Sequence, residues 1–125
     1  MAIFPTAGVP SGVPQGSVLS PLLFSIYIND LLESSFTNKR ICYGDDLKIY
    51  GPPSSAFDSD LLILSDWLDK NFMSVNIDKC EVIHFVKHNP LYTYNYRNIA
   101  LKTIEEFRDL SILVDHSLCL QSHAR

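Results

Sequence analysis

Ile41-Cys42-Tyr43-Gly44-Asp45-Asp46-Leu47-Lys48-Ile49-Tyr50 is the stretch on which the fold turns. Two short β-prone runs flank a glycine, a pattern that predicts a hairpin bending at Gly44 with Asp45 and Asp46 at its tip. Adjacent carboxylates repel one another, and a tip that carries both gains nothing structurally from them. A bound divalent cation reverses that balance. Aspartate oxygens are hard ligands suited to Mg²⁺, with Mn²⁺ as a substitute, and such an ion is commonly held by one or two carboxylates together with water and substrate phosphates. Successive strand residues point to opposite faces, which favours Asp45 over Asp46 as the direct ligand. A solvated turn in which Gly-Asp-Asp carries no ion is the plain alternative.

Upstream, Gly8, Pro10, Gly12, Pro14 and Gly16 mark a loop. Ser20 then reads as an N-cap with Pro21 at the first helical position. Leu22, Leu23, Phe24, Ile26, Tyr27, Ile28, Leu31 and Leu32 continue a helix apolar on nearly every side, expected to be buried. Downstream, Gly51-Pro52-Pro53-Ser54-Ser55 breaks the chain. Phe57, Leu61, Leu64, Leu68 and Phe72 then follow the spacing of an amphipathic helix, with Asp58, Asp66, Asp69 and Lys70 mainly elsewhere on its surface. Residues 80–85 alternate as a strand, and weaker strands are expected near 98–103 and 110–114. There is no internal repeat.

A length of 125 residues with 46% hydrophobic and 19% charged content fits one globular domain. There is no apolar run of membrane-spanning length and no secretory leader pattern at Met1, so an intracellular protein is expected. Cys42, Cys80 and Cys119 form no Cys-x-x-Cys pair and are read as reduced thiols. His84, His88, His116 and His123 lack paired ligand spacing. Tyr92, Tyr94 and Tyr96 alternate like one strand face, where sheet packing competes with base stacking as the explanation. The net charge of −4 runs against a nucleic-acid surface taken alone.

The acidic tip gains meaning from its company. The run Gly12-Val13-Pro14-Gln15-Gly16-Ser17-Val18-Leu19-Ser20-Pro21-Leu22-Leu23-Phe24, with Tyr27-Ile28-Asn29-Asp30-Leu31, resembles motif B of reverse transcriptases encoded by jockey-like non-LTR retrotransposons. Tyr43-Gly44-Asp45-Asp46 resembles their motif C, Val75-Asn76-Ile77-Asp78-Lys79-Cys80-Glu81 their motif D, and residues 107–115 the stretch after the palm. The resemblance implies an RNA-directed DNA polymerase that extends a primer 3′-hydroxyl with dNTPs on an RNA template by two-metal phosphoryl transfer. It assigns Asp45 and Asp46 as metal ligands for Mg²⁺ or Mn²⁺. Gln15, Gly16, Ser17 and Tyr43 become template and nucleotide contacts, and Lys79 the lysine that protonates or pairs with the pyrophosphate leaving group. Gly16 suits close approach of backbone to a base pair, although a turn before a helix also explains it.

Measured against that family, three features depart. The further carboxylate expected upstream, in motif A, has no candidate, because no Asp or Glu precedes Asp30 and Asp30 falls within the buried-helix pattern. Isolated activity is therefore not expected. Ser111 stands where the family has Gly in Asp-Leu-Gly, and it would be strained if the position needs positive φ. Gly44 replaces the more usual Ala. The expected fold is α+β and palm-like: a small antiparallel sheet around the acidic hairpin, with two helices packed on one face. Palm motifs would occupy about 12–85, and the following region about 98–115. The alternatives are a non-catalytic remnant or interaction module derived from a retrotransposon, and an RNA-dependent RNA polymerase, which the Pro-Gln-Gly-Ser-Val-Leu-Ser-Pro run disfavours.

Overall fold

The computed structural model describes residues 16, 18–85 and 87–118. Helix α1 spans Ser20–Glu33. Leu19 takes the cap position and Ser20 becomes the first helical residue, one position earlier than the Ser-Pro signal predicts. Strands β1 (Lys39–Tyr43) and β2 (Asp46–Tyr50) form the expected antiparallel hairpin, closed by the pair Tyr43↔Asp46. Helix α2 covers Ala56–Lys70, and a single 3₁₀ turn follows at Ile77–Lys79. Short strands follow among the described residues: β3 (Glu81–Ile83), β4 (Asn95–Tyr96), β5 (Ile99–Ala100), β6 (Lys102–Ile104), β7 (Glu106–Asp109) and β8 (Ile112–Asp115).

The class is α+β, but the single antiparallel sheet is not what forms. The strands make four separate two-stranded sheets, β1-β2, β3-β6, β4-β5 and β7-β8, and the β3-β6 pair is parallel. Strands of two to five residues satisfy their backbone groups pairwise, and the intervening turns set the pairing. Arg97 (φ 49) and Asn98 (φ 64) link β4 to β5. Leu110 (φ 46) and Ser111 (φ 71) link β7 to β8. Both are two-residue turns with positive φ at each central residue, the type I′ geometry that matches strand twist. Leu110, expected to begin a strand, is therefore a turn residue.

The core is where the two helices meet the hairpin. Ile28 and Leu31 of α1, Leu64, Trp67 and Leu68 of α2, and Tyr96 of β4 form one buried cluster. Cys42 and Leu47 pack against it from the hairpin, and Met73, Val75 and Ile77 from the segment after α2. Trp67 meets the Tyr27 ring edge-on at 5.8 Å. The stripe on α2 thus runs through Leu64 and Leu68 as expected. Phe72 lies beyond the helix with φ 55 and is 93% exposed, so it is not part of the stripe. Helix α1 is not buried on every side: Leu22, Leu23 and Ile26 are exposed, because core partners reach only the face bearing Phe24, Ile28 and Leu31, with the half-exposed Tyr27 ring at its margin against Trp67. Asp30 is exposed as well.

Candidate active site

Gly44 and Asp45 are the two central residues of the acidic turn. Gly44 has φ +59 and Asp45 has no positive φ, the arrangement of a type II′ hairpin, in which glycine is favoured at the first position. A Cβ on Gly44 would meet nothing within 4 Å, so backbone conformation alone calls for glycine here.

The ladder gives the hairpin two unlike faces. Cys42 and Leu47 pair with each other and face the core. The pairs Tyr43↔Asp46, Ile41↔Lys48 and Lys39↔Tyr50 make up the other face, where Tyr43, Ile41 and Tyr50 are 66%, 56% and 51% exposed. Asp46 therefore opens β2 on the solvent face, directly across from Tyr43. Asp45 lies in the turn, where the rule of alternating strand faces does not choose between the two carboxylates.

Both carboxylates are exposed, and among the described residues neither accepts a hydrogen bond or an ion pair. Lys48, two residues along from Asp46 on the same strand, places its ammonium 2.8 Å from Asp109 Oδ1 instead. The acidic field reaches inward: the Cys42 thiol, which donates to Gly44 O at 3.1 Å, is raised above the ordinary thiol range by burial first, then by Asp45 and Asp46. Lys48 acts on Asp46 only at longer range, and two adjacent hard-oxygen donors with no salt bridge among the described residues fit a divalent ion that keeps much of its water shell. No group of three or more metal-ligating side chains occurs among the described residues.

The hairpin is tied to the rest of the fold by polar contacts that the sequence pattern did not single out. Arg40 donates through Nε to Leu32 O at 2.6 Å and through Nη2 to Leu32 O and Ser34 O, placing its charge at the carbonyl end of α1 with its guanidinium over Phe36. Asp60 on α2 receives three hydrogen bonds from Thr37 and Asn38. The position of Asp60, four residues before Leu64 on the buried stripe, was the available signal.

Lys79 ends the 3₁₀ turn, exposed, and its segment reaches the shared core through Ile77. Gly16 is exposed with φ +79, a left-handed turn ahead of α1. Gln15 and Ser17 lie outside the described residues, as do Cys119 and His123. Tyr94 and Tyr96 are buried, Tyr94 against Phe57 (5.1 Å) and His84 (6.1 Å), so this part of the tyrosine series is packing. No helix among the described residues is long and apolar enough to cross a membrane.

Residues 8–115 match the family model for reverse transcriptase (RNA-dependent DNA polymerase), and the chain belongs to that family. Within it, the resemblance is to the jockey-like type of non-LTR element. The chain is 27% identical over 131 aligned residues to the RNA-directed DNA polymerase from mobile element jockey of Drosophila funebris, an alignment covering 92% of this chain. It spans 14% of that relative's length. No solved structure matches it significantly.

Proposed function

We propose that this chain carries the metal-binding hairpin of an RNA-directed DNA polymerase, in a palm-like setting, with Asp45 and Asp46 as ligands for Mg²⁺ or Mn²⁺. The observation that supports it is a pair of adjacent carboxylates at a tight turn, exposed and without a salt bridge among the described residues, in a chain of this family. The reaction would be extension of a primer 3′-hydroxyl with dNTPs on an RNA template. When bound, divalent ions supply charge stabilisation for phosphoryl transfer. Of the chain's own groups, Gln15, Gly16, Ser17 and Tyr43 would contact template and incoming nucleotide. Lys79 would hold a proton or a point charge toward the departing pyrophosphate. A two-ion centre needs a further carboxylate, which we place outside these 125 residues, so the chain by itself is not expected to extend a primer.

The test pairs metal binding with chemistry. Added Mn²⁺ is expected to broaden amide signals at residues 43–47, and Asp45→Asn/Asp46→Asn to remove that broadening. Primer extension on an RNA template with dNTPs and Mg²⁺ is expected to be absent. Loss of the site-specific broadening in the unmodified chain would leave an inert turn and a non-catalytic remnant. Extension that the double substitution abolishes would show that no outside carboxylate is needed.

A further inference from the structure

We infer that Asp60 is a positioning residue for the acidic hairpin, gripping the base of the ladder whose far end carries Asp45 and Asp46. The inference rests on the reading of those two residues as metal ligands.

Asp60 is fully buried, and a buried carboxylate is costly unless donors surround it. Here Oδ1 accepts from Thr37 N at 2.7 Å, while Oδ2 accepts from Asn38 N at 2.9 Å and Asn38 Nδ2 at 2.8 Å. All three donors belong to the two residues that lead into β1. Asn38 is itself buried, and its other amide atom lies over the exit of the hairpin: a Cβ built on Gly51 would stand 2.2 Å from Asn38 Oδ1 and 3.1 Å from its Cγ. Gly51 directly follows β2, and Lys39↔Tyr50 is the last pair of the ladder, so Asn38 and Gly51 flank its open end. One carboxylate on α2 therefore fixes the entering strand directly and holds the Asn38 amide close against the leaving strand at Gly51.

A two-stranded hairpin is marginally stable by itself. The acidic turn is formed only in molecules whose ladder is formed, and the apparent affinity of a ligand is scaled by that fraction. Grip at the base and ion binding at the tip are then coupled, and the coupling is reciprocal.

The experiment uses the full 125-residue chain, with hydrogen exchange of the β1 and β2 amides and Mn²⁺ titration read by broadening at the tip. Asp60→Asn keeps the shape but turns one acceptor into a donor facing donors. It is expected to speed exchange in the hairpin about tenfold and to weaken Mn²⁺ binding by the factor by which the formed-hairpin fraction falls, with α2 amides little changed. Gly51→Ala, which forces the Asn38 side chain aside, should loosen the hairpin in the same way. Asn38→Ala, which removes the Nδ2 donor to Asp60 and the amide that lies over Gly51, should speed hairpin exchange as well. If Asp60→Asn loses α2, the Gly51 and Asn38 variants decide the matter.

Unchanged exchange in the hairpin of these variants overturns the grip. Faster exchange with unaltered Mn²⁺ affinity overturns its role at the tip. An unmodified chain whose tip broadening is insensitive to Asp45→Asn/Asp46→Asn refutes the metal reading itself; the positioning role toward metal falls with it, and the exchange results still decide whether Asp60 holds the base.

Discussion

At φ +71, Ser111 holds a conformation in which an L side chain crowds the next carbonyl, at a cost of about 1–2 kcal/mol. Ser111→Gly is therefore expected to stabilise the chain by about 1 kcal/mol, read as a higher urea midpoint at unchanged slope. The opposite change at the acidic turn should have the opposite sign. Gly44→Ala meets no atom within 4 Å, so its expected loss of about 1 kcal/mol comes from backbone conformation at φ +59 alone. A midpoint that does not move would show that the turn relaxes to negative φ. The strain at Ser111 was legible because the resemblance places a glycine there. The same geometry at Leu110 was not, since a leucine beside Ser-Ile-Leu-Val reads as the start of a strand. Asp60 was missed for a related reason: an acid within a helical pattern is ordinarily solvated, and its partners lie 22 and 23 residues away.

Between elements, the hairpin β1-β2 and the hairpin β7-β8 are joined by Lys48 and Asp109, each about a third exposed. The Lys48 ammonium is raised above the ordinary lysine range chiefly by its hydrogen bond to Asp109. A raised folded-state value means the contribution is fully present at neutral pH and is lost only as pH climbs through the alkaline lysine range. Solvent screening keeps it small, at most about 1 kcal/mol, so Lys48→Met should cost little in low salt and nearly nothing in molar salt. Urea unfolding at the two salt concentrations checks this; a large, salt-independent loss would mean that the aliphatic stem, not the charge, carries the contact. Elements held by local periodicity, α1, α2 and β1-β2, could be read from the sequence. The parallel β3-β6 pair could not, because three-residue strands carry too little alternation to name a partner that the chain reaches only after β4 and β5.

Across the whole molecule, the unexpected feature is the outer face of α1. Leu22, Leu23, Ile26 and Tyr27 read as core from their apolarity, yet hydrophobicity alone does not say on how many sides a helix has partners. Exposed together, they should bind an apolar dye and favour self-association. Leu23→Glu/Ile26→Glu is expected to lower dye fluorescence and light scattering while leaving the urea midpoint within about 0.5 kcal/mol equivalence. A marked fall in stability would show that this face is covered in solution. The placement of Asp60 has one more consequence, in the order of synthesis. The ribosome delivers the acidic hairpin complete while the residue that grips its base is still to be added, ten positions past Tyr50. Ten residues take about half a second to two seconds at ordinary elongation rates. During that interval the nascent hairpin has its turn but not its anchor, and the stretch that bears the two aspartates waits for the residue that secures it.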